Sequence, residues 1–147
     1  MMNTLGKRRN ARELALKVMF QIDVGGLPPE EVLATTFEQV PVEPEEREYV
    51  SAVVHGVLAH LDELDAVIGS LASGWRLERI ANVDKNVLRI ALYEIQHRDD
   101  IPPSVSVNEA VEIAKKYSTE DSGRFVNGIL GTYLRLHPQL DPSRPSG

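Results

Sequence analysis

The sequence predicts an all-α protein, and three observations lead there. Apolar residues recur at spacings of three and four along most of the chain, no segment alternates convincingly with period two, and glycine or proline pairs interrupt the pattern. About seven helices joined by mostly short connections follow, packed as bundles.

Leu14, Ala15, Val18, Met19 and Ile22 form the stripe of a first helix, which Gly25, Gly26, Pro28 and Pro29 end. A second, shorter helix opens at Pro29, carries Val32, Leu33, Phe37 and Val40, and closes at Pro41 and Pro44. The third has the clearest stripe, from Val50, Val53, Val54, Val57 and Leu58 to Leu61, with Glu45 and Glu46 near its start, where the helix dipole favours anions. Leu64, Val67, Ile68 and Leu71 predict a fourth, ending around Ser73 and Gly74 before Trp75 and a turn near Leu77 and Ile80. Val87, Leu88, Ala91, Leu92 and Ile95 read as a deeply buried fifth helix with Asp84 at its opening. After Asp99, Asp100, Pro102 and Pro103, the spacing of Ser106 and Glu109 is that of a capping box, and Val107, Ala110, Val111, Ala114 and Tyr117 continue a sixth. The last, opened by Ser118 with Asp121 three residues on, packs through Val126, Ile129, Leu130, Tyr133 and Leu134. One helical domain over residues 1–136 is therefore expected, followed by a tail, residues 137–147, too rich in proline and polar residues to hold a fixed structure.

A chain of 147 residues buries roughly two-thirds of the surface its unfolded form exposes. With no cysteine, neither disulfides nor thiolate metal sites contribute. The basic start lacks the apolar run of a signal peptide, and no stretch approaches a membrane span, so a cytoplasmic location without membrane contact is expected. The net charge of -6 is unevenly spread: residues 1–22 carry +4, residues 23–65 carry -10, and the remainder balances. An acidic protein with one basic end remains able to attract a polyanion there.

Catalytic and cofactor motifs are scarce. Glu94 and His97 have the Glu-x-x-His spacing of di-iron bundles, but the second copy that such a site needs is missing, and His97 reads better as a cap at its helix end. There is no phosphate-binding glycine loop and no nucleophile elbow; Gly128 and Gly131 read as close-packing positions. Neither a cofactor nor a metal is expected, and binding is favoured over catalysis.

Two surfaces depart from a bland bundle. At 100° per residue the apolar arc of the first helix centres on Val18 and Ala11, with Arg8, Arg9 and Arg12 on a separate arc roughly 60 to 160° away. Positive charge at a helix start opposes the macrodipole, so stability gives little reason for it, whereas guanidinium forks suit phosphate. Phe20 lies roughly opposite Val18, either exposed or against a neighbouring helix. In the last helix Asp121, Arg124 and Phe125 share an arc beside the core, where an aromatic can stack a base, a cation can meet phosphate and a carboxylate can accept base amino groups; Phe125 turned sideways into the core is the equal alternative.

Four ordered blocks, KRRNARELAL (7–16), VDKNVLRIALYEI (83–95), SVNEAVEIAKKY (106–117) and EDSGRFVNGIL (120–130), closely resemble the NusB family. The resemblance covers about residues 7–135, with residues 25–75 matching in helical pattern alone; Asn10 interrupts the arginine run that some relatives have, and Gly123 leaves one position of the last block without a side chain. It implies a fold of two packed helical bundles and a non-enzymatic antitermination factor. Such a factor binds single-stranded boxA RNA of nascent ribosomal transcripts, as a heterodimer with the ribosomal protein NusE, and works within an RNA polymerase antitermination complex. By position, Arg8, Arg9, Arg12, Asp121, Arg124 and Phe125 correspond to RNA-facing residues, and Phe20 and Asp84 to the NusE-facing surface. The same fold fronts certain RNA cytosine methyltransferases, a reading that chain length and the lack of a cysteine nucleophile disfavour. A helical adaptor that binds only protein, or a homodimer, is the alternative.

Overall fold

The computed structural model describes residues 4–72 and 76–140. Among the described residues seven α-helices occur: α1 (Thr4–Gly25), α2 (Pro29–Gln39), α3 (Pro44–Ala59), α4 (Leu61–Leu71), α5 (Asn82–His97), α6 (Pro103–Tyr117) and α7 (Glu120–Leu136). Short 3-10 turns lie at Leu77–Arg79 and Pro138–Leu140, and no strand occurs among the described residues. The all-α expectation and the helix count both hold. The chain divides into two units at Ala59 and His60.

In the first unit α1 packs against α2 and α3. Its buried face includes Ala11, Ala15, Val18 and Met19, the arc that periodicity centres on Ala11 and Val18. Val32 and Leu33 of α2 and Val50, Val53, Val54 and Val57 of α3 are buried as well. Each such side chain contributes roughly 1.5–3 kcal/mol when fully removed from water. Gly26, just past α1, has φ of 65° and its N–H bonds the Ile22 carbonyl at 3.1 Å. A left-handed residue there terminates the helix, and glycine takes that conformation without a Cβ clash.

In the second unit α5, α6 and α7 pack against one another, and α4 lies against α5 and α7. Leu64, Ile68, Leu88, Leu92, Val126 and Leu130 are among its most buried aliphatic side chains. Arg89 of α5 is buried and holds Asp65 of α4 through Nε–Oδ1 at 2.7 Å and Nη2–Oδ2 at 2.8 Å.

Several local expectations change. The apolar stripe runs on to Leu61, yet the helix breaks at His60, whose φ of -114° and ψ of 20° separate α3 from α4. α4 stops at Leu71, and the predicted stop at Ser73 and Gly74, with Trp75, lies outside the described residues. Ser106 and Glu109 form no capping box: α6 starts from Pro102 and Pro103, whose rings preset the helical entry, and Ser106 lies inside the helix, donating to Glu94 Oε1 at 2.7 Å. Thr119, not Ser118, caps α7 and accepts the Ser122 N–H at 3.1 Å. Gly128 has open space where a Cβ would stand and Gly131 only ordinary contact. The close approach is at Gly123, where a Cβ would fall 2.7 Å from Lys115 Cγ of α6. Of the predicted unstructured tail, Pro138–Leu140 form a 3-10 turn and residues 141–147 lie outside the described residues.

Candidate nucleic-acid interface

The basic face of the first unit is built by the first two turns of α1 against α3. No acidic residue offsets the positive end of α1 in its first turn. Arg8 and Arg12, one helical turn apart, both project toward Tyr49 of α3: their guanidinium carbons lie 4.3 and 5.7 Å from its ring centroid. Arg8 Nε also donates to Glu46 Oε2 at 2.9 Å. The ring face carries partial negative charge, which draws cations into this position. The flank is consequently not uniformly exposed. Arg8 and Arg9 are half-buried, whereas Arg12 is only 3% exposed and held by other groups. Sequence spacing places all three arginines away from the apolar arc, but Arg12, beside the Tyr49 ring and held by other groups, is buried. Glu46 and Tyr49 were missed as partners of this face. Their signal was faint, an acid and an aromatic three residues apart at the start of α3.

Further along the same helix Phe20 is 41% exposed, so of its two alternatives the outward one holds. Val24, four residues on, and Leu27, just beyond the helix, are exposed too. They extend Phe20 into an apolar strip that polar residues interrupt.

The second unit offers a different chemistry at the start of α7. Asp121 and Arg124 are exposed and ion-paired with each other. Phe125 is half-buried and walls a surface depression of about 230 Å³, together with Arg79, Ile80, Ala81, Asp84, Thr119, Asp121 and Ser122. An aromatic wall with carboxylate and hydroxyl acceptors beside it suits a flat ligand carrying N–H donors.

Asp84 lies in the first turn of α5, as its place at the helix opening predicts, and is buried, while Ala81 occupies the cap position with no side-chain hydrogen bond. Ser122 Oγ donates to its Oδ2 at 3.1 Å, while Oδ1 has no hydrogen-bond partner. Burial pushes the Asp84 carboxyl above its ordinary value, and the Ser122 bond opposes that shift. Asp84 and Phe125, assigned by sequence to different partners, thus line one depression.

Glu94 and His97 do not act as a pair. Glu94 is buried against Ser106, and His97 stacks on His60 at 4.2 Å and on Tyr93 at 5.3 Å rather than capping by hydrogen bond. Among the described residues no three His, Cys, Asp or Glu side chains gather as a metal site requires, and no helix is long and apolar enough to cross a membrane.

Comparison with known proteins matches residues 9–135 to the family model described as NusB family. The transcription antitermination protein NusB of Desulforudis audaxviator is 52% identical over 136 residues, covering 92% of this chain and 99% of its own. That of Desulforamulus reducens is 50% identical over 135 residues, covering 92% and 94%. Among solved structures, T. maritima NusB matches at a TM-score of 0.81 with 36% identity, covering 87% of this chain and 90% of its own. An antitermination factor NusB, crystallised with NusE and double-stranded RNA, matches at 0.79 with 26% identity, covering 92% and 99%. The matched span takes in α1 from Arg9 onward, the α5 start and the α7 start, with Arg8 one residue outside it, and the chain belongs to the NusB family of non-enzymatic antitermination factors.

Proposed function

We propose that this chain acts in transcription antitermination by binding the boxA element of nascent ribosomal RNA as a single strand, in a heterodimer with NusE, and so favours read-through by RNA polymerase. The observation that carries this reading is the family match across residues 9–135, joined to a relative crystallised with NusE and RNA. Arg8, Arg9 and Arg12 supply positive charge for the phosphate backbone, with Arg8 and Arg9 the more accessible. Phe125 offers a stacking wall, Asp121 an acceptor for base amino groups and Arg124 a phosphate contact. Phosphate contacts hold the strand without reading it, and acceptors beside a stacked base add sequence preference.

Phe20 and Asp84 serve the protein partner in this reading. An exposed aromatic on a helix anchors an interface well, and Asp84, 7% exposed in the first turn of α5, is carried over to the partner surface by its position alone. The test is a titration of labelled boxA-like RNA, as single strand and as duplex, with and without purified NusE, over a range of salt. The expected result is tighter binding to the boxA-like strand than to an unrelated strand of equal length, strengthened by NusE. Equal binding to both strands by a folded, NusE-competent sample would leave a protein-only adaptor as the better reading.

A further inference from the structure

Arg8 is held on two sides by groups that have no need of RNA. Glu46 fixes its Nε at 2.9 Å, and the Tyr49 ring lies under its guanidinium at 4.3 Å. Both supports are themselves buried: the Glu46 side chain is 8% exposed and Tyr49 is among the most buried side chains of the described residues. Arg8 is not buried with them, since 20% of its side chain remains exposed. The ion pair uses only Nε. Neither terminal amino group of Arg8 makes a hydrogen bond among the described residues, and these two groups are the ones that grip a phosphate from the end of the fork.

We infer that Glu46 and Tyr49 are positioning residues that hold Arg8 ready for a phosphate of the bound RNA strand. The inference rests on the RNA-binding reading above. An arginine loose in solvent must lose rotamer freedom when it binds, and that loss is reduced when its guanidinium already stands in place. The cost of an acid beside a phosphate site is limited by geometry, because the Glu46 carboxylate sits on the Nε side. Lys7, Arg9 and Arg12 of the same helix keep the surroundings cationic.

The experiment measures RNA affinity and salt slope for the complex with NusE, in the parent and in Arg8→Ala, Glu46→Gln, Glu46→Asp, Tyr49→Phe and Tyr49→Leu, each first checked for folding and NusE binding. Arg8→Ala is expected to weaken binding and flatten the salt dependence. Glu46→Gln should weaken it roughly threefold to tenfold, and adding Arg8→Ala in that background should cost little more. Glu46→Asp keeps the charge but draws the acceptor back by one methylene, so a loss there reports position rather than charge. Tyr49→Phe keeps the ring and should bind as the parent does, whereas Tyr49→Leu should not. A purely structural role would lower the melting temperature of Glu46→Gln without touching RNA affinity, and that result overturns the proposal. Tighter RNA binding by Glu46→Gln, the signature of an acid that merely repels phosphate, overturns it too. If the parent prefers boxA-like RNA but Arg8→Ala binds equally well, this proposal falls and the RNA-binding reading stands. If the parent shows no preference, both fall.

Discussion

Replacing Asp65 with alanine should destabilise the protein by about 3 kcal/mol, a figure that follows from where its partner sits. Arg89 is 4% exposed, and its donors reach Asp65 Oδ1 at 2.7 Å, Asp65 Oδ2 at 2.8 Å and Asn86 Oδ1 at 3.0 Å, among other contacts. Asn86 in turn donates to the Asn82 carbonyl at 2.9 Å, so the network ties α4 to the first turn of α5, where Asp84 lies. Alanine at position 65 removes two charge-assisted bonds from a guanidinium that is held in the interior. Breaking one side of a buried pair typically costs about 3–5 kcal/mol, against about 0–1 for a pair in solvent. The Asp65 side chain is 20% exposed, so water reaches part of the pair and the lower end applies. In a chain of this length 3 kcal/mol corresponds to a fall of roughly 6–12 °C in melting temperature. Asp65→Asn keeps the shape and one acceptor but turns an amide N–H toward the fork, and should cost about half as much. The double variant Asp65→Leu with Arg89→Met should recover most of the loss, since it leaves no charge behind. Urea unfolding followed by circular dichroism measures all three, and a slope of free energy against urea unchanged from the parent shows that the difference lies in stability. A loss below about 1 kcal/mol for Asp65→Ala would refute the reasoning, because it would mean that the guanidinium finds water as easily as a surface arginine does.

Asp84→Asn tests the raised carboxyl. A folded-state value above the ordinary 3.8 means that ionisation subtracts stability, a penalty absent at low pH that grows as pH rises above 3.8 and is complete only above the folded-state value. The asparagine variant should therefore melt higher than the parent at pH 7, and the gap should narrow on acidification while NusE binding weakens; a gap that widens at low pH contradicts the assignment. Gly123→Ala should show little net gain, because helix propensity worth about 1 kcal/mol is offset by the Lys115 stem 2.7 Å from the new Cβ. In a Lys115→Ala background the same change should be stabilising, and equal effects in the two backgrounds would show that the contact is inconsequential. Phe125→Ala should weaken RNA binding by about 1–3 kcal/mol with an almost unchanged salt slope, since stacking releases few counterions. A large slope change in that titration would place Phe125 outside the stacking role.

The helices were legible because their signal is local: the stripe of α1 names its own buried face through Ala11, Ala15 and Val18, whatever packs against it. Their ends were less so. The break at His60 leaves no mark in a stripe that passes unbroken from Val57 to Leu64, and Ser106 has the spacing of a cap that two prolines make unnecessary. What a side chain meets was least legible of all. Glycine spacing pointed to Gly128 and Gly131, but the close approach depends on Lys115 of another helix and falls at Gly123. Asp84 and Phe125 share a depression although 41 positions separate them in the sequence. The arginine face shows the functional consequence. Spacing along α1 gives the direction in which Arg8, Arg9 and Arg12 leave the helix, yet Tyr49 and Glu46, thirty-four to forty-one residues further on, meet two of these cations, Arg8 and Arg12. A count of basic residues then overstates the phosphate contacts. Each contact on a single strand contributes roughly 0.7 to the salt slope, so three equivalent arginines would remove about 2.1 when all are changed to alanine. With Arg12 buried, the triple variant should instead lose roughly 0.7–1.4, and Arg12→Ala alone should lower stability more than it flattens the slope. A triple variant that loses the full 2.1 would mean that RNA binding draws Arg12 out from beside the Tyr49 ring.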